Sequence, residues 1–194
     1  LRRCYRVRAG ESVLLHSASG GVGLIALQWA VSLAAHVIAV VSSDEKAEVA
    51  RKYGAADVIV SDREDLVERV RTITKRRGVS VVYDGVGKDT FFASLDCLMP
   101  RGMMVSYGNA SGPVPPISPL ELTKRGSLYL TRPTLFHYIA KPSSLARGAS
   151  SLFEMVASGK VKLRIGQTYP LADAAQAHRD LEGRKTTGST LLIP

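Results

Sequence analysis

The segment SVLLHSASGGVGLIALQWA, residues 12–30, constrains the fold more than any other part of the chain. A short apolar run (Val13, Leu14, Leu15) stops at a small-residue turn over residues 17–23. Apolar residues then recur at Leu24, Leu27, Val31 and Ala34, which is helical spacing. A strand, a glycine turn and a helix in that order present free backbone N–H groups and the positive end of a helix dipole. That combination is a cradle for a phosphate.

The glycines divide the work. Aligned on G-x-G-x-x-G, Gly20 takes the second position and Gly23 the third, while the first holds Ala18. A glycine at the second position lets the backbone approach a pyrophosphate, and one at the third lets the helix pack close to its strand. The candidate phosphate cradle is therefore Ser19, Gly20, Gly21, Val22 and Gly23. A tight βα turn with no ligand is the alternative. No Lys-Ser or Lys-Thr pair closes the turn, which argues against a P-loop.

The next apolar run, HVIAVV over residues 36–41, indicates which dinucleotide fits. An NAD-type site uses an acid at the end of this strand to hold the ribose hydroxyls. Here the run ends in Val41, Ser42 and Ser43; the first acids, Asp44 and Glu45, suit the opening of the next helix. Lys46 follows within one turn. Hydroxyls and a lysine without an acid favour a 2′-phosphate, hence NADPH over NADH. Taken alone, Lys46 reads equally well as a solvated helix lysine.

Beyond this point β and α patterns keep alternating, which predicts a parallel, doubly wound α/β sheet with right-handed crossovers. Strands are expected over residues 12–17, 36–41, 57–60, 80–84, 103–107 and 127–130, with helices over 22–34, 44–53, 64–74, 89–97 and 119–124. Gly54 reads as a helix cap, and NASGPVPPISP (109–119) as a loop. After Pro142 come a helix ending near Gly159, a strand over 161–170, a short helix over 171–183 and a strand over 189–194.

Ligands of such sheets lie at the carboxyl ends of the strands. This adds Ser61 after the third strand, Val86 and Gly87 after the fourth, and Tyr107, Gly108 and Asn109 after the fifth. Asp84 lies near the same crevice but reads better as a residue that shapes its own turn.

Composition narrows the class. With 26 Lys and Arg against 17 Asp and Glu, the net charge is +9. The basic residues are scattered, without interleaved aromatics, so nucleic-acid binding is disfavoured. No run reaches the ~18 apolar residues of a membrane helix. Two cysteines, Cys4 and Cys97, imply no disulfide framework and agree with a cytoplasmic setting. His16, His36, His137 and His178 lack metal-ligand spacing, so no metal site is expected.

In the stretches SASGGVG, VVYDGVGKDT, GMMVSYGNASG, GSLYLTRPTL and TTGSTLLIP, the chain resembles the zeta-crystallin-like quinone oxidoreductases. These are zinc-free members of the medium-chain dehydrogenase/reductase superfamily. The resemblance implies a Rossmann cofactor domain over residues 1–160. Residues 161–194 would be a return segment belonging to a chaperonin-10-like catalytic domain that precedes this point in a longer protein. It also implies NADPH as cofactor, a small-molecule quinone as substrate, and Arg184 in EGRKTTGS near the cofactor phosphates. At Ser61 some relatives carry an aromatic residue, which a serine cannot replace. No residue stands out as a general acid, so the catalytic residues are left unassigned. A reductase of enoyl or enone double bonds and a non-catalytic NADPH-binding module are the other readings. Residues 127–131 alternate Leu128 and Leu130 with Ser127, Tyr129 and Thr131, and are expected to form an edge strand that pairs two copies into a homodimer.

Overall fold

A computed structural model describes residues 1–194. Six parallel strands form the main sheet in the order β3-β2-β1-β4-β5-β6. They are β1 (Ser12–His16), β2 (His36–Val41), β3 (Asp57–Val60), β4 (Val79–Asp84), β5 (Leu98–Ser106) and β6 (Tyr129–Thr131). The connecting helices are α1 (Gly21–Ser32), α2 (Asp44–Lys52), α3 (Leu66–Ile73), α4 (Phe91–Asp96) and α5 (Leu120–Lys124). This is the doubly wound α/β fold that the alternating pattern predicts. After β3 the chain returns to the other side of β1, so a crevice opens between the carboxyl ends of β1 and β4.

The inner strands read as unbroken apolar runs because they are buried on both faces. Val13, Leu15, Val37, Ala39 and Val41 pack with Leu24 and Leu27 of α1 on one face. Leu14, Ile38, Val40, Ile59 and Val82 pack with Val70, Leu95 and Met104 on the other. Each fully buried branched side chain contributes about 1.5–3 kcal/mol of transfer free energy.

Helix ends follow local chemistry. The Ser43 hydroxyl accepts the Lys46 N–H at 3.4 Å and caps α2, while Asp44 and Glu45 occupy its first turn. Asp65 accepts the Glu68 N–H and starts α3, two residues later than the sequence pattern puts it. Gly54 follows the C-cap of α2 at φ +99°, a conformation that favours glycine.

Three features differ from the sequence expectation. β5 begins at Leu98 rather than Met103, with Arg101 at φ +62° where the register to β4 shifts. A short helix α6 (Leu135–Ile139) precedes α7 (Pro142–Ala157). Beyond residue 160, β7 (Ile165–Pro170) begins four residues later than the expected strand over 161–170; it pairs in parallel with β8 (Ser189–Ile193), joined through α8 (Ala174–Glu182), as a separate two-stranded sheet.

β6 lies at one edge of the main sheet, as expected, and ends before Arg132 and Pro133. Its alternation does not give a buried stripe. Leu128 is buried, but Leu130 and Tyr129 are exposed.

Candidate functional site

The glycine turn joins the end of β1 to α1 at the mouth of the crevice. Gly20 is the N-cap of α1; no side chain caps this end and no acid lies in the first turn. The helix therefore presents its positive end without a resident counter-charge. The glycines separate as their alignment predicts. A Cβ on Gly23 would lie 2.1 Å from the Ser17 carbonyl oxygen, so the fold itself demands glycine there. A Cβ on Gly20 would meet nothing nearer than that same oxygen at 3.4 Å. The protein's own packing therefore does not require glycine at Gly20, and the open backbone there fits a ligand's close approach.

Gly21 has a different neighbour. A Cβ there would lie 3.1 Å from the Ser189 Oγ of β8. Gly20 forms a parallel bridge with Gly188, whose N–H donates to the Ser19 carbonyl at 2.8 Å. The far end of the chain thus backs the turn. Pattern reasoning missed this contact, which spans more than 160 residues; the only sequence hint is the run of small residues in TTGS. Ser19 is buried, whereas Val22 is exposed beside the crevice.

At the end of β2, three of the expected residues meet. Lys46 Nζ donates to the Ser42 hydroxyl at 2.9 Å and to the Arg184 carbonyl. Arg184 reaches this corner from the loop after α8, at φ +58°. Burial, and next the Arg184 charge, lower the Lys46 ammonium below its ordinary pKa. Asp62 and Glu45 act on Lys46 in the opposite sense, more weakly than Arg184; the strand end itself carries hydroxyls and no acid, so the two cations can receive a dianion there. Ser43 is occupied as the cap of α2, where its hydroxyl accepts the Lys46 backbone N–H. Ser61 is exposed, and its hydroxyl lies 3.2 Å from both the Val41 carbonyl and the Asp62 carboxylate, either of which can accept its single proton.

Across β1, the loops after β4 and β5 are knitted together. Ala110 N–H donates to the Gly85 carbonyl, and the Ser111 N–H and hydroxyl both donate to the Val86 carbonyl. A Cβ on Gly108 would lie 2.3 Å from the Gly85 oxygen, and one on Gly87 would lie 3.1 Å from Asn109 Cα. Asn109 is exposed, and its carbonyl accepts the Gly112 N–H at 3.0 Å. The Tyr107 ring covers Gly85, and its phenol is raised above the usual range by burial and by the nearby Asp84 charge.

Tyr107 and Val22 line one cavity of about 850 Å³, together with Trp29, Tyr138, Arg3 and Arg147. None of these last four residues carries a local sequence signature of a site: Trp29, Tyr138 and Arg147 lie on helices, and Arg3 is one of several scattered basic residues near the start of the chain. Asp84, fully buried, accepts the N–H groups of Val86 and Gly87, as its turn-shaping reading requires.

A family model described as "Zinc-binding dehydrogenase" matches residues 21–154. The chain is 48% identical over 194 residues to a quinone oxidoreductase of Pseudomonas aeruginosa, covering 100% of this chain and 60% of that protein. It is 47% identical to a 2-haloacrylate reductase of Burkholderia sp, covering 100% of this chain and 59% of that one. The solved structure of Escherichia coli quinone oxidoreductase complexed with NADPH superposes with a TM-score of 0.97 at 49% identity, covering all of this chain and 60% of that one. The chain thus spans about 60% of the length of the curated relatives it matches.

Proposed function

Because the chain belongs to the zinc-binding dehydrogenase family, we propose that it is the NADPH-binding portion of a quinone oxidoreductase that transfers hydride from the nicotinamide to a small quinone. The observation that carries this reading is the meeting of Lys46, Ser42 and Arg184 at the end of β2, beside an uncapped glycine turn. The NADPH complex of the Escherichia coli relative supports it. Residues 1–160 form the cofactor domain in this reading, and residues 161–194 return toward the rest of a longer cytoplasmic protein.

The residues fit the cofactor. Ser19 to Gly23 hold the pyrophosphate against the start of α1. Ser42, Ser43, Lys46 and Arg184 hold the 2′-phosphate, with Ser61 at the rim. Val86, Tyr107, Gly108 and Asn109 line the crevice on the β4 side. When bound, NADPH supplies the hydride; the chain orients it and keeps water away. The histidines whose partners are defined serve other ends: His16 bonds Ser94 and His36 bonds Asp57. The exposed edge at Tyr129 and Leu130 supports pairing of β6 with a second copy into a homodimer.

The 47% identity to a 2-haloacrylate reductase favours a second reading, reduction of a double bond conjugated to a carboxylate. Steady-state NADPH oxidation by the full-length protein with a benzoquinone against a 2-haloacrylate separates the two. Turnover of the haloacrylate alone overturns the quinone reading. Calorimetry checks the cofactor assignment: NADPH should bind tighter than NADH, and Lys46→Ala should narrow that gap by about 1–2 kcal/mol. Equal affinity of the unmodified protein for the two cofactors overturns the 2′-phosphate site.

A further inference from the structure

A buried chain of hydrogen bonds links the ends of β1 and β4. Asp84 is fully buried at the end of β4 and accepts four hydrogen bonds. Oδ1 takes the Val86 N–H at 2.7 Å and the Gly87 N–H at 3.0 Å. Oδ2 takes the Thr90 hydroxyl at 2.7 Å and the Ser94 hydroxyl at 3.0 Å. Ser94 gives its only proton to Asp84, so its oxygen accepts from His16 Nε2, 2.9 Å away. His16 is the last residue of β1, immediately before the glycine turn. Val86 is also pinned from the other side, since its carbonyl accepts two bonds from Ser111.

Sheet order gives this chain of bonds a direction. The Lys46–Arg184 corner lies on the β2 side of β1, and β4 lies on the other side. A dinucleotide whose pyrophosphate sits on the glycine turn and whose 2′-phosphate sits at that corner must extend its other half over the end of β4. That half then meets the Val86–Gly87 turn.

We propose that Asp84, Ser94 and His16 are positioning residues for the nicotinamide half of the cofactor. They set the Val86–Gly87 turn relative to the glycine turn without touching the ligand. This inference rests on the cofactor reading above. It extends that reading to three buried residues that the phosphate cradle does not use.

The test compares two ligands on the full-length protein by calorimetry: NADPH, and adenosine 2′,5′-bisphosphate, which lacks the nicotinamide half. Ser94→Ala and Asp84→Ala should each weaken NADPH binding by about tenfold. Both should leave the bisphosphate affinity within about twofold. Asp84→Asn is the rescue. Its oxygen still accepts the two amide N–H groups, and its amide donates to Thr90 and Ser94, freeing the Ser94 proton for His16. It should restore most of the NADPH affinity. Should Asp84→Ala not fold, Ser94→Ala, which keeps three of the four donors, still decides the matter.

Equal weakening of both ligands would mean a general structural role and overturns the proposal, as would unchanged NADPH affinity in Ser94→Ala. An unmodified protein that binds neither ligand overturns the cofactor reading itself, and this inference with it.

Discussion

The main sheet and the β7–α8–β8 unit obey the same local rules and end in opposite states. In the sheet, Leu14 and Ile38 are wholly buried and every inner strand is covered on both faces. Beyond residue 160 the buried apolar side chains are Val161 and Ala177, while Leu163, Ile165, Leu171, Leu181 and Ile193 are exposed. A parallel pair of two strands cannot shield itself, since parallel sheets are stable when both faces are covered. The unit is held instead by a few directed contacts. Gln28 of α1 donates to the Lys162 carbonyl at 3.1 Å and accepts the Lys162 N–H at 2.8 Å. Gly188 adds its bond to Ser19. One region is secured by packed area and the other by a handful of hydrogen bonds.

The largest effect that tests this contrast is a cavity in the sheet. Leu14→Ala should destabilise the chain by about 3–4 kcal/mol in urea unfolding, because its neighbours on both sides are fixed strands. A loss below about 1 kcal/mol would show that the sheet relaxes and is not the rigid partner in the comparison.

Gln28→Ala should cost about 2 kcal/mol, since it leaves the Lys162 backbone groups without their partner. Its signature is local. Amide exchange should accelerate in β7 and β8 while β1 and β2 stay protected. Uniform acceleration would mean that the two regions unfold together.

Acid should reach the two regions at different pH. Burial holds the His16 imidazole below its ordinary pKa, with the Asp84 charge opposing. The unfolded chain therefore takes up a proton more readily than the folded one. Stability is full above the unfolded histidine value near 6.5 and falls as pH drops below it, by at most about 1.4 kcal/mol per pH unit. In the C-terminal unit, hydrogen bonds from Gln176 and Tyr169 hold the Asp180 carboxyl below its ordinary value. Its contribution is present above the usual aspartate range and is lost only in stronger acid. Urea midpoints at pH 7.5 and 5.5 check the first step. Unchanged midpoints in the unmodified protein, or an equal drop in His16→Gln, would remove His16 as its source.

The smallest effect is Ile165→Ala in β7, expected within about 0.5 kcal/mol because more than half of the residue is exposed. A loss above about 2 kcal/mol would mean that this strand has a packed face after all.

The same contrast explains what the sequence discloses. The first βα unit and the opening of α2 at Asp44 and Glu45 follow from residues adjacent in the chain, where period and helix-end chemistry act directly. Helix α6 was not legible because LFHYI, five residues just past Pro133, is too short for a helical period to show. The start of β5 was hidden by Pro100 and Gly102, which break the strand pattern although Arg101 takes the left-handed turn between them. In the site, the close packing at Gly23 was readable from spacing, and so was the nearness of Ser42 and Lys46, one helical turn apart. Arg184 entered through family resemblance, and Gly188 and Gln28 not at all, because those contacts are made by folding two distant segments together.

The backing of the glycine turn by Gly188 and Ser189 has a thermodynamic consequence. Residues 184–189 touch the proposed cofactor corner through Arg184 and the turn through Gly188. Docking of this tail and occupation of the site are then linked equilibria. Whatever factor the docked tail adds to cofactor affinity, bound cofactor must return as an equal factor in the tail's own docking constant. An occupied site would thus slow proteolytic cleavage between α8 and β8, and clipping there would release ligand from a core that remains folded.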